Sequence, residues 1–166
     1  SIQGHLHILK YLCELELDVG TIDIDAAGSN GWTSLMYASF NEYPDVVQYL
    51  LEKGASTSHV DQHDGNALHY AAIHNYKNVD TIKQLLEASS INVINQKTKD
   101  SHTNTPLDWA YYNESPYKND IIDLIEEYGG LHGDQRRLYM KKKRIKNGVD
   151  YVQLDDDDQG NEAKSN

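Results

Sequence analysis

His59, Asp61 and His63 alternate over five residues, and imidazole nitrogens with a carboxylate are side chains that zinc accepts as ligands. Structural zinc sites close with four ligands, and no fourth is evident beside these three. They read as part of a solvated finger, and no metal or other cofactor is expected. Cys13 is the only cysteine, so no intrachain disulfide can form and a reducing compartment is the simpler reading. It falls on a leucine-type position of a helical run, which makes it a small buried hydrophobe rather than a nucleophile. No phosphate-binding glycine loop, HExxH or GxSxG occurs, so no catalytic residue is assigned and no enzymatic activity is expected. Asn113-Glu114-Ser115 is a formal glycosylation sequon, but Pro116 follows and the compartment argues against its use.

The elements around these residues repeat. Asn30-Gly31-Trp32-Thr33-Ser34-Leu35-Met36-Tyr37-Ala38, then Asp64-Gly65-Asn66-Ala67-Leu68-His69-Tyr70-Ala71-Ala72, then Thr103-Asn104-Thr105-Pro106-Leu107-Asp108-Trp109-Ala110 share one pattern. Their anchoring leucines, Leu35, Leu68 and Leu107, are 33 and then 39 residues apart. Behind each lies an apolar cluster at helical spacing, such as Val46-Val47-Gln48-Tyr49-Leu50-Leu51. A further copy of that helix opens the chain at Gly4, with no inner helix before it, so upstream sequence is expected. Thr33, Asn66 and Thr105 stand where a side-chain oxygen caps a helix, and Pro106 suits a first helical position. Gly54 and Gly129 follow the outer helices, where a left-handed residue is wanted. The small Ala38, Ala71, Ala72 and Ala110 permit close helix approach.

Thr105-Pro106-Leu107, Leu68-His69-Tyr70-Ala71-Ala72 and Leu50-Leu51-Glu52-Lys53-Gly54-Ala55 resemble the ankyrin repeat. The resemblance runs from Gly4 to about Leu131. It implies an all-α solenoid of stacked helix-turn-helix pairs with β-hairpin fingers. The ankyrin-like region is residues 1–131: a partial repeat and long finger at 1–28, repeats at 29–60 and 61–97, and a C-terminal cap at 98–131. Met36 and Asp108 replace the motif histidine kept at His69, so its hydrogen-bond network is expected to be incomplete in those two repeats. Insertions fall around Asn75 to Asp80 and Glu114 to Asn119.

The resemblance further implies a non-catalytic protein-interaction module that meets its partner on the fingers and the concave inner-helix edge. The family's variable contact positions fall on Ser29, Asn30, Trp32, Phe40 and Asn41. In the next repeat they fall on Gln62, His63, Ile73 and His74, and in the last on Ser101, His102, Asn104, Tyr112 and Asn113. Trp32, Phe40, Ile73 and Tyr112 are large apolar side chains at positions expected to face solvent, with the histidines on their rim. Tyr37, Tyr70 and Trp109 form an equivalent column, read as shared inner-helix packing.

Charge is uneven. Residues 1–133 carry 7 Lys/Arg against 19 Asp/Glu, and residues 134–154 carry 7 against 2. Residues 155–166 return to acid, with Asp155 to Asp158 consecutive. The body therefore repels nucleic acid and favours a basic protein partner. The segment 132–154 reads as a basic helix or flexible linker, whose bland role is to dock on the acidic repeats. Lys141, Lys142, Lys143 and Arg144 resemble a nuclear-import signal. The tail 155–166 has too few apolar residues to order itself. No apolar run is long enough to span a membrane. A cytoplasmic or nuclear monomer is the expected state. Two other readings stay open: a regulatory ankyrin segment of a larger enzyme or channel, and an acidic escort for a basic client.

Overall fold

A computed structural model describes residues 23–99 and 103–133. Three helical pairs stack side by side. The inner helices are α1 (Ser34–Phe40), α3 (Ala67–His74) and α6 (Pro106–Ala110). The outer helices are α2 (Pro44–Glu52), α4 (Asp80–Ala88) and α7 (Lys118–Glu127). Inner helices pack α1 on α3 on α6, and outer helices pack α2 on α4 on α7 behind them. A single turn, α5 (Ile91–Ile94), sits between the second and third pairs. The longer 39-residue step is shared between this turn and the loop at 75–79.

One core runs through the stack. Leu35, Val47, Leu50, Leu68, Ile82, Leu85, Leu107, Ile121 and Ile125 are all essentially inaccessible to solvent. A helical pair this small cannot bury its apolar face alone, so each contributes to its neighbour's stability. Ala38, Ala71, Ala72 and Ala110 are buried, as close helix approach requires. Thr33 accepts from the backbone N–H of Met36, which caps α1. The outer helices have no side-chain cap; instead Asp45, Asp80 and Asp120 lie in their first turns, where a carboxylate is favoured by the helix dipole. Gly54 has φ +86 with nothing near its missing Cβ, so backbone conformation alone accounts for glycine there.

The first two fingers are tight turns. Asp61 N donates to Gly65 O at 2.9 Å, and Gly28 N donates to Trp32 O at 3.0 Å. No strand is present among the described residues. In these two fingers the expected β-hairpins are thus replaced by turns, which close through their tip bonds without a ladder behind them. Neighbouring fingers are joined by Lys99 N donating to His63 O at 2.9 Å, and by the Lys99–Asp64 ion pair.

The motif-histidine position behaves differently in each repeat. His69 is fully buried and closes a reciprocal cap with Asn66. Its Nε2 faces the Asn104 carbonyl at 3.2 Å, while Nδ1 lies 3.2 Å from Asn66 N and 2.8 Å from Asn66 Oδ1, so the ring bridges its own cap and the next finger. Met36 offers no such return bond. The expectation that Asp108 leaves its network incomplete is corrected. Its buried carboxylate accepts from Thr105 N at 3.0 Å, His132 Nδ1 at 2.8 Å and Gly133 N at 2.6 Å. A carboxylate can accept several bonds at once, so Asp108 caps α6 and also holds the chain that returns from α7.

Candidate functional site: an aromatic strip on the inner face

The inner helices and fingers bring a set of rings into one strip. The Trp32 ring centroid lies 4.9 Å from Tyr37, 5.5 Å from Phe40 and 4.2 Å from Tyr70. Phe40 then meets His74 at 4.0 Å, and His74 meets Tyr76 at 5.9 Å. On the other side Tyr70 meets Trp109 at 5.5 Å. Rings in this distance range attract through edge and offset contacts. Tyr37 and Tyr76 keep 48% and 46% of their surface exposed, so the strip opens to solvent at both of these rings.

Asp61 holds the strip from below. One carboxylate oxygen accepts from the Trp32 indole N–H at 3.2 Å and from the Tyr70 hydroxyl. The other accepts from the backbone N–H groups of His63 and Gly65, both at 2.9 Å. Burial by itself would raise the Asp61 pKa, but these donors outweigh it and the pKa falls below its ordinary value. Burial, together with the neighbouring Asp61 charge, pushes the Tyr70 phenol well up, so it remains a donor. Asp61 is therefore committed to holding this finger and the rings above it. Among the described residues no group of three His, Cys, Asp or Glu is arranged to hold a metal.

The positions singled out from the sequence have different placements. Gln62, His63, Asn41, His74 and Tyr112 are exposed, Tyr112 at 59%. Trp32 and Phe40 are half-buried against the core, and Ile73 is half-buried. The expectation that these three face solvent is thus corrected in part: the ring contacts of Trp32 and Phe40 draw those two into the stack, leaving part of each residue exposed. Asn104 is also half-buried; its backbone pairs with Thr98 and accepts from His69. Asn113 is corrected outright. It is fully buried, and its Nδ2 donates to Ala72 O at 2.9 Å. Its work is to tie the third repeat to the second, and burial also closes it to glycosylation.

Ser101, His102, Cys13 and the basic run Lys141, Lys142, Lys143 and Arg144 lie outside the described residues. Sequence reasoning missed Tyr76 and the role of Asp61. Tyr76 lies in the insertion after α3, and backbone N–H groups of Tyr76 and Lys77 donate to the Glu42 carboxylate at 2.9 and 2.8 Å. The insertion was a usable signal; its docking on the preceding repeat was not. The Tyr37, Tyr70 and Trp109 column also divides: Tyr70 is buried, Trp109 half-buried and Tyr37 exposed.

Family profiles match along the chain. One described as ankyrin repeats (3 copies) matches residues 1–61, and one described as ankyrin repeat matches residues 63–99. The pair α6 and α7 continues the stack beyond them. Over 56 residues, 34% of the chain, it is 43% identical to the NAD-capped RNA hydrolase NUDT12 of Homo sapiens, covering 12% of that protein. Over a stretch of equal length it is 46% identical to Alpha-latrotoxin-Lh1a of Latrodectus hasselti, covering 4% of that protein. Over 146 residues, 88% of the chain, it is 25% identical to Ankyrin repeat and SAM domain-containing protein 6 of Mus musculus, covering 16% of that protein. The chain thus spans a small part of each of these relatives. No helix among the described residues is long and apolar enough to cross a membrane.

Proposed function

The chain belongs to the ankyrin-repeat family, whose stacked repeats form protein-interaction modules, and we propose that this one binds a protein partner without catalysis, along its aromatic strip. The observation that carries this reading is the unbroken run of rings from Tyr37 through Trp32 and Phe40 to His74 and Tyr76. Half-exposed aromatic anchors set on a rigid scaffold have the character of interface hot spots. The fingers, with Gln62 and His63 at their tips, and Tyr112 in the turn after the last inner helix extend the contact. The inner helices contain no Asp, Glu, Lys or Arg apart from the buried Asp108, so the strip suits an apolar or aromatic segment of the partner. A monomer in the cytoplasm or nucleus fits the single Cys13 and the basic run at 141–144.

The test is capture from lysate with the full chain, followed by affinity measurement with the identified partner. Tyr37→Ala with Tyr76→Ala is expected to weaken binding by at least about 2 kcal/mol. The outer-helix pair Gln48→Ala with Lys83→Ala is expected to leave it unchanged. Equal affinity for both variants overturns the reading.

A second reading is a regulatory segment of a larger protein. It is supported by the relatives, in which the matched stretch is a small part of the chain, and one of which is named as a hydrolase. Coding sequence upstream of Ser1 that specifies a catalytic or channel domain would favour it.

A further inference from the structure

The described surface separates charge by face. The outer helices α2, α4 and α7 carry eight carboxylates, all exposed, against two lysines, Lys83 and Lys118. Lys83 is itself beside Glu87 at 4.0 Å, and Lys118 Nζ donates to the Tyr111 carbonyl. Between α2 and α4 runs an open groove lined by Leu51 and Ala88 together with Asp45, Glu52, Asp80, Glu87 and Lys83. The groove pairs apolar surface with a net negative charge, four carboxylates against the one lysine.

One stretch of the same chain has the complementary composition. Residues 134–154, outside the described residues, carry seven Lys/Arg against two Asp, with Leu138, Tyr139, Met140 and Ile145 interleaved. We propose that this basic segment lies in cis along the outer face, its cationic groups over the carboxylates of the α2–α4 groove and its apolar side chains toward Leu51 and Ala88.

The point of departure fits. Leu131 N donates to Asn95 Oδ1 and Gly133 N to Asp108 Oδ2, both at 2.6 Å, so the segment leaves from a fixed place on the last repeat. From Gly133, held at α6, the segment must cross one inner-to-outer step and up to two repeat steps of roughly 8–10 Å each to reach α2. The ten residues from Asp134 to Lys143 reach about 33–36 Å when extended. A single exposed ion pair contributes little, but several act together here on carboxylates already held at fixed separations by folded helices. Asp155 to Asp158 compete for the same cations, and so does the outer face of a second copy. The aromatic strip is built on the inner helices and fingers and the groove on the outer helices, so this inference and the proposed function can fail independently.

Zero-length carbodiimide cross-linking of the full chain, at low salt and high dilution and mapped by mass spectrometry, tests it. The expected result is intrachain links from Lys141, Lys142 or Lys143 to Asp45, Glu52, Asp80 or Glu87. Their yield should fall several-fold in about 0.5 M salt, where screening shortens to a few ångströms. A full-length Glu52→Gln, Asp80→Asn, Glu87→Gln variant should lose the links at the remaining Asp45 while keeping its helical signal. Should that variant fail to fold, the links and salt response of the unaltered chain still decide. Links to Asp155–Asp158 alone, links only between copies, or none at all overturn the proposal.

Discussion

The indole N–H of Trp32 donates across 29 residues to the carboxylate of Asp61 in the next finger, at 3.2 Å. With the indole N–H engaged from below, the ring is what this residue has left to offer a further contact. Because the same carboxylate also serves Tyr70, His63 N and Gly65 N, removing it leaves several donors short of an acceptor. Asp61→Ala is expected to destabilise the chain by roughly 1–3 kcal/mol and to alter the near-ultraviolet circular dichroism of the rings. An unchanged aromatic spectrum would show that Asp61 does not hold the strip.

Exposure within the strip separates folding from binding. Trp32 is wedged between Tyr37, Phe40 and Tyr70, so Trp32→Ala should cost roughly 2–4 kcal/mol in unfolding free energy. Tyr37→Ala and Tyr112→Ala remove rings that are about half exposed and should change stability much less, about 1 kcal/mol at most. Denaturant melts of the three variants measure this directly. If all three lose the same stability, the division between packed and presented rings is wrong.

Acid should loosen the second finger and the cap together. At Asp108, as at Asp61, burial raises the pKa, but the His132 hydrogen bond, backbone donors and the His132 charge outweigh it and the net shift is downward. A carboxylate with a lowered folded pKa contributes its full stability above its unfolded value, near 3.8, and loses that contribution as pH falls through the folded value. Thermal midpoints should therefore fall steeply below about pH 4. In Asp61→Asn and Asp108→Asn the curves should be flatter over that range. Parallel curves for the variants and the parent chain would place the acid sensitivity elsewhere.

The cap closes on a glycine for lack of space. A Cβ on Gly133 would sit 2.2 Å from Thr103 O and 2.8 Å from Asp108 Oδ2. Gly133→Ala should push the returning chain off Asp108 and cost about 1–3 kcal/mol. Hydrogen exchange should rise most in α6 and α7, less in the adjoining α3, and least in α1, since each repeat contacts only its neighbours. Uniform deprotection of every repeat would contradict that localisation.

The sequence by itself determined the repeat, the helical pairs and most of the core. Those features are local and periodic: Leu35, Leu68 and Leu107 recur in register, and Thr33, Asn66 and Thr105 announce helix starts through side chains that need no distant partner. The expectation that partners meet the fingers and inner helices came from the same register. Only tertiary structure decided how each residue on those elements is packed. Asn113 reads as a surface amide, yet stacking carries it under the Ala72 carbonyl. Asp108 reads as a lost histidine, yet the returning His132 and Gly133 supply the donors that make a carboxylate suitable there. Asp61 reads as one of three alternating polar residues, yet Trp32 comes from 29 positions earlier to meet it. Each of these outcomes depends on hydrogen bonds between segments whose separation in sequence carries no periodic signal, so only the stacked repeats bring them together.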